Sequence, residues 1–259
     1  MEEQVDRLVK QTWEKFQKTP KSARHLIAIS GIPGSGKTTL AAACASALNT
    51  LHHRASPGTS AGGDDVAAFI PMDGYHLSRA QLSAMPDPAT AHARRGAAFT
   101  FDGNSFLALV KKLREPLCPE SVTLYAPSFD HAVKDPVEDD IPIGPHVRLI
   151  IFEGNYLSLG KEPWKEAAGL MDELWFVEVE EEVARRRLVA RHVKAGIARD
   201  EEEARRRVDA NDLVNGREIV GGRVEVSEVV VSREDEGWKP EAQGVREGQG
   251  LEGESQVVD

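Results

Sequence analysis

Eight consecutive residues, Gly31-Ile32-Pro33-Gly34-Ser35-Gly36-Lys37-Thr38, form a complete Walker A loop. Its glycines let the backbone curl until successive N–H groups face a phosphate, and the positive end of the following helix reinforces them. Lys37 is placed to reach the β- and γ-phosphate oxygens, the Thr38 hydroxyl is of the kind that ligates Mg²⁺, and Thr39 completes the loop. Two carboxylates qualify as partners. Asp73 follows the apolar Phe69-Ile70-Pro71-Met72, where it could take the proton of an attacking hydroxyl. Glu153 follows Leu149-Ile150-Ile151-Phe152 and fits a Walker B role, holding Mg²⁺ directly or through water. An arginine-rich run from 184 to 200 supplies guanidinium groups, of which Arg191 and Arg199 are the candidates for the transferring phosphoryl. Its alternative reading is a solvated charged helix, with Glu180–Glu182 and Glu201–Glu203 pairing the arginines.

These groups need a frame that brings them to one edge. Apolar strands are expected at 25–30, 66–71, 147–152, 173–179 and 226–231, alternating with helical stretches. That alternation predicts an α/β protein, a five-stranded parallel sheet with helices on both faces. In such sheets ligands gather beyond the carboxyl ends of the strands, where the loop, Asp73 and Glu153 all fall. Val5, Leu8, Val9, Trp13 and Phe16 lie at helical spacing and predict an amphipathic N-terminal helix within 1–20. The P-loop domain is expected over 21–232, with a lid at about 185–205 bending near Ala195-Gly196 and an amphipathic helix at 104–113. Residues 55–65 read as a flexible insertion, and 233–259 as a disordered acidic tail.

Composition narrows the function classes. The formal charge is −10, which argues against nucleic-acid binding. Cys44 and Cys118 have no metal-ligand spacing, and Cys44 reads as a small core residue. No apolar run approaches the roughly 20 residues of a bilayer span, and the N-terminus lacks signal-peptide character. A soluble cytoplasmic protein is the expectation, with no membrane partner.

The ordered series of the Walker A loop, Met72-Asp73-Gly74-Tyr75-His76, Arg94-Arg95-Gly96, Phe101-Asp102, Tyr125-Ala126-Pro127-Ser128-Phe129-Asp130-His131, Phe152-Glu153-Gly154-Asn155 and the arginine lid resembles the uridine kinase, bacterial pantothenate kinase and phosphoribulokinase superfamily. The likeness is greatest to its fungal and bacterial uridine-kinase-like or fructose-kinase-like branch and covers about residues 22–232. It implies a P-loop fold and ATP-dependent, Mg²⁺-assisted phosphorylation of a hydroxyl on a small molecule: a nucleoside, a pantothenate-like compound or a sugar. It also implies that Tyr75, His76, Arg95, Phe129, Asp130 and His131 face the acceptor, and it makes a homodimer common among the relatives. Phe129 stands where uridine kinases carry a tyrosine, so a hydroxyl contact expected for uridine is missing. For His76 and His131 a structural role is equally open. Two rivals remain: a GTPase, which would need an Asn-Lys-x-Asp segment that the chain lacks, and a catalytically silent ATP-binding module.

Overall fold

Parallel strands covered on both faces must be apolar along their whole length. Strand β1 (His25–Gly31) is buried at all seven positions, and a later strand (Leu149–Gly154) at all six. The computed structural model describes residues 1–55 and 64–233. The expected insertion therefore falls largely, and the expected tail almost wholly, outside the described residues.

In chain order the elements are α1 (Glu2–Phe16), β1, α2 (Lys37–Ala55), β2 (Ala67–Pro71), a 3-10 turn at Met72–Tyr75, α3 (Arg79–Ser83), α4 (Pro88–Ala93), α5 (Gly103–Leu113), β3 (Leu124–Asp130), β4 (Asp135–Ile143), β5 (Leu149–Gly154), α6 (Trp164–Gly169), β6 (Glu173–Glu178), α7 (Glu181–Lys194), α8 (Glu201–Arg207), a π-helical turn at Val208–Asp212, α9 (Leu213–Gly222) and β7 (Glu228–Val231). The sheet order is β2-β5-β1-β6-β7, with every pairing parallel. This is the expected five-stranded sheet. Alternation along the central strands splits the core in two. Leu26, Ala28, Ile150 and Phe152 join one cluster with Phe106 and Trp164. Ile27, Ile29, Leu149 and Ile151 join the other with Leu40, Leu48 and the apolar face of α1. Buried Cys44 lies in that second cluster, where desolvation pushes its thiol up to about 12.

The antiparallel hairpin β3–β4 stands outside the five strands that hydropathy predicts. Its register passes from Ala126↔Ile141 to Ser128↔Val137, so residues 138–140 stand opposite Pro127 alone. The lid region bends after α7, at Gly196, whose φ of 62° suits glycine. Among the described residues, no helix is long and apolar enough to cross a membrane.

Candidate active site

The phosphate loop joins β1 to α2. Gly34 and Gly36 hold φ of 79° and 87°, left-handed values that a side chain disfavours. A Cβ on Gly34 would also meet the Ala184 carbonyl of α7 at 2.9 Å. Inside the loop, the buried Ser35 hydroxyl has no hydrogen-bond partner among the described residues. Lys37, the first residue of α2, is buried, with Nζ 3.4 Å from the Ile32 carbonyl and 3.7 Å from Glu153 Oε1. Burial pushes the lysine pKa down while Glu153 and Asp73 pull it up. Burial likewise raises the Glu153 carboxyl, opposed by Lys37 and by a hydrogen bond from Thr38. Thr39, next on the helix, is buried.

Sheet register brings Asp73 to this pair. Pro71 on β2 lies opposite Glu153 on β5, and the 3-10 turn follows at once. Asp73 is half-exposed, and its field reaches both Lys37 and Glu153. Arg191 on α7 acts on the same two groups. One buried cation, one buried carboxylate, one open carboxylate and a lid guanidinium thus share a site. Together they can hold a phosphate chain and accept a proton beside it.

Across from them lies an aromatic wall. The His76 ring sits 4.0 Å from Phe101 and 4.9 Å from Phe129, and Phe129 is 5.2 Å from His131. His76 Nδ1 is 2.8 Å from the Asp73 carbonyl, so Nδ1 carries the proton that the carbonyl accepts. Burial lowers the imidazole pKa, which favours the neutral ring. The Arg95 guanidinium lies 5.6 Å from the Phe129 centroid and pairs with Asp135 at 3.0 Å.

Three expected residues go elsewhere. Tyr75 turns into the core, its ring edge-on to Phe106 at 5.3 Å. The Asp130 carboxylate accepts from the Ala132 and Val133 amides at 2.7 and 2.9 Å, closing the hairpin turn, because a short acid at a turn captures backbone N–H groups. Arg199 stands on the surface, paired at 2.8 Å with Glu203 four residues along, an ordinary helical neighbour pair.

Other groups carried no loud signal. Arg187 donates to the Gly34 carbonyl at 3.3 Å, the Ser232 hydroxyl at 2.8 Å and the Arg233 carbonyl at 2.9 Å, tying the loop to the end of β7. Arg94 donates to Asn211 and Asn215 at 3.0 and 2.6 Å. Those asparagines, four apart on one helical face and both buried, are the polar pair that helical spacing could have flagged.

The fold and sequence have relatives. A Schizosaccharomyces pombe protein carrying a provisional uridine kinase name is 45% identical over 192 residues, spanning 74% of this chain and 76% of its own length. The chain belongs to the uridine-kinase-like superfamily of P-loop kinases. Within that superfamily, the Aspergillus versicolor "ATP-dependent kinase-like protein notR'" is 60% identical over 159 residues, 61% of this chain and 92% of that one. The solved structure of YFH7 from Saccharomyces cerevisiae, described as a P-loop-containing kinase with a circular permutation, matches with TM-score 0.77 and 25% identity, over 89% of this chain and 99% of that one. A Silicibacter structure provisionally named a fructose transport system kinase gives TM-score 0.72 and 30% identity, over 87% and 98%. No protein-family model matches the chain.

Proposed function

We propose that this P-loop kinase relative transfers the γ-phosphoryl group of ATP to a hydroxyl of a small molecule. The observation that carries this reading is the half-exposed Asp73 carboxylate beside the buried Lys37–Glu153 pair at the mouth of the phosphate loop. Loop geometry fits a nucleotide: two left-handed glycines, an unpartnered Ser35 hydroxyl and a buried lysine converge there. Thr38 and Glu153 are the residues that would hold Mg²⁺, since metal on a nucleotide needs few protein ligands. When bound, that ion offsets charge on the phosphate oxygens.

Asp73 accepts the acceptor's hydroxyl proton as its oxygen forms the new bond to phosphorus and the bond to the leaving ADP breaks. Lys37, which is buried, and Arg191 offset the charge that develops. His76, Phe129 and His131 offer the acceptor a wall of mutually tilted rings backed by buried Phe101, which suits a ring or a short aliphatic body. The acceptor side is thus assigned to residues between about 73 and 140. The two free cysteines, Cys44 and Cys118, accord with a reducing cytoplasm.

The test is an ADP-release screen over nucleosides, sugars and pantothenate-like hydroxy compounds. Stimulation by one class names the acceptor. Tight ATP binding with no stimulated release across the panel would identify a silent nucleotide-binding module instead.

A further inference from the structure

The lid helix α7 carries Arg191 in its last turn, where a helix frays unless something holds it. Two sets of bonds hold it here, and both run through His192. The carbonyl makes the first. Gly196, with its φ of 62°, follows the cap residue Ala195. The Ile197 amide donates to the His192 carbonyl at 2.9 Å, and the Gly196 amide to the Val193 carbonyl at 3.1 Å. That pair of bonds is a Schellman motif, which closes α7 and turns the chain away from it.

The ring makes the second. His192 is buried, and its Nε2 lies 2.9 Å from the Asp212 carboxylate. A carboxylate only accepts, so Nε2 carries the proton and donates it. The other ring nitrogen, Nδ1, has no hydrogen-bond partner among the described residues, so Asp212 is the polar group that sets the ring.

Asp212 ends the π-helical turn, which joins α8 to α9 in one continuous run over 201–222. A π turn takes one more residue per hydrogen-bonded ring than an α turn, so the helix before it and the helix after it present different faces. Before Asp212, Ala204 and Val208 pack with Leu188 and Val189 of α7. After it, Ile219 enters the sheet core, and a Cβ on Gly216 would sit 3.4 Å from Ile32 in the phosphate loop. The turn is thus referenced to the phosphate loop on one side and to the lid on the other. Two further pairs clip α7 to this run, Arg185 with Asp209 and Glu181 with Arg217, but water screens them. The His192 and Asp212 side chains are only 6% and 15% exposed.

We propose that Asp212 is a positioning residue for phosphoryl transfer. Through the His192 ring it fixes the last turn of α7 and so places the Arg191 guanidinium on the terminal phosphoryl of the bound nucleotide. This rests on the reading of Arg191 as the lid cation. A guanidinium on a long side chain finds its mark only if the backbone beneath it is held, and a displacement of about 1 Å forfeits most of its effect.

The experiment is calorimetric titration of the full chain, with Mg²⁺, by ADP and by AMP-PNP, an ATP analogue that keeps a terminal phosphoryl. Asp212→Ala weakens AMP-PNP about five- to ten-fold and ADP less than about two-fold, because only AMP-PNP carries the phosphate that Arg191 meets. Asp212→Asn, whose amide oxygen still accepts from Nε2, keeps AMP-PNP within about two-fold of wild type. His192→Phe, which preserves the packing and loses the bond, repeats the Asp212→Ala pattern. In an Arg191→Ala background Asp212→Ala adds no further loss, since the group it acts through is gone. Equal weakening of both nucleotides, additive losses in the double variant, or Asp212→Asn as damaging as Asp212→Ala overturns the proposal. So does a lowered Tm with the ratio of AMP-PNP to ADP affinity unchanged, which would make the pair a fold-holding contact alone. A chain that binds neither nucleotide would overturn the nucleotide reading as well. Because no turnover is read, the outcome is separate from that of the ADP-release screen.

Discussion

At the phosphate loop, Lys37 and Glu153 are fixed by strands buried along their whole length and by the start of a long helix. Across the cleft, His76, Phe129 and Arg95 are carried by short turns and an irregular antiparallel hairpin that leaves Tyr125, Val133 and Val137 exposed. The nucleotide half gains its geometry from the sheet, where a shift of one residue would turn every side chain to the wrong face. The acceptor half gains its geometry from tilted and edge-on ring contacts and a few capping bonds. Rigidity is therefore unequal: the part that handles phosphate is over-determined, and the part that meets the acceptor is not.

The contrast can be broken at graded strength. The largest effect belongs to Asp73→Asn, expected to lower kcat by a factor of about 10² or more while ATP affinity stays within about two-fold. Retained turnover would remove Asp73 from the role of base. Next comes Arg191→Ala, expected to cost about 10² in kcat, against Arg199→Ala at less than about two-fold. Equal losses at the two positions would mean that the lid rearranges more than its helix bend suggests. On the acceptor side, Phe129→Ala should raise the acceptor KM about 3- to 10-fold and leave the ATP KM unchanged, the scale of one aromatic contact. A parallel rise in both constants would show that the halves are not independent.

The smallest effect is a pH dependence confined to the nucleotide half. Burial opposes ionisation of Glu173, but hydrogen bonds from His25 and Lys15 win and hold its carboxyl down at about 2, against an ordinary 4.5. A depressed folded-state value stabilises the fold above the unfolded value, and that stability drains as pH falls from about 4.5 through about 2. In Glu173→Gln the slope of stability with pH over that window should flatten, as measured by urea unfolding at stepped pH.

The sequence made the nucleotide half readable for a physical reason. A glycine loop between a strand and a helix, and carboxylates one or two residues past apolar runs, are local signals whose spatial meaning a parallel sheet fixes. All five strands lie within about two residues of where hydropathy places them. The hairpin was not readable. Pro136, Pro142 and the acidic stretch 138–140 erase the alternation that marks a strand, and its two halves recognise each other through backbone bonds. Nor could spacing separate Arg191 from Arg199. The choice was made by Glu203, which lies one helical turn past Arg199 and engages it at the surface. Asp130 failed for the opposite reason, since an acid beside an aromatic looks like a ligand contact until the turn that uses it is seen.

The Met72–Tyr75 turn touches the hairpin so closely that a Cβ on Gly74 would fall 2.1 Å from the Pro127 carbonyl oxygen. A seam of main chain against main chain is indifferent to what the neighbouring positions carry. Descendants of this chain could accordingly rewrite the outward residues of the hairpin, and with them the molecule they grip, while the seam keeps the base at its station. A bulkier residue at 74 would close that evolutionary route by lifting the whole cover.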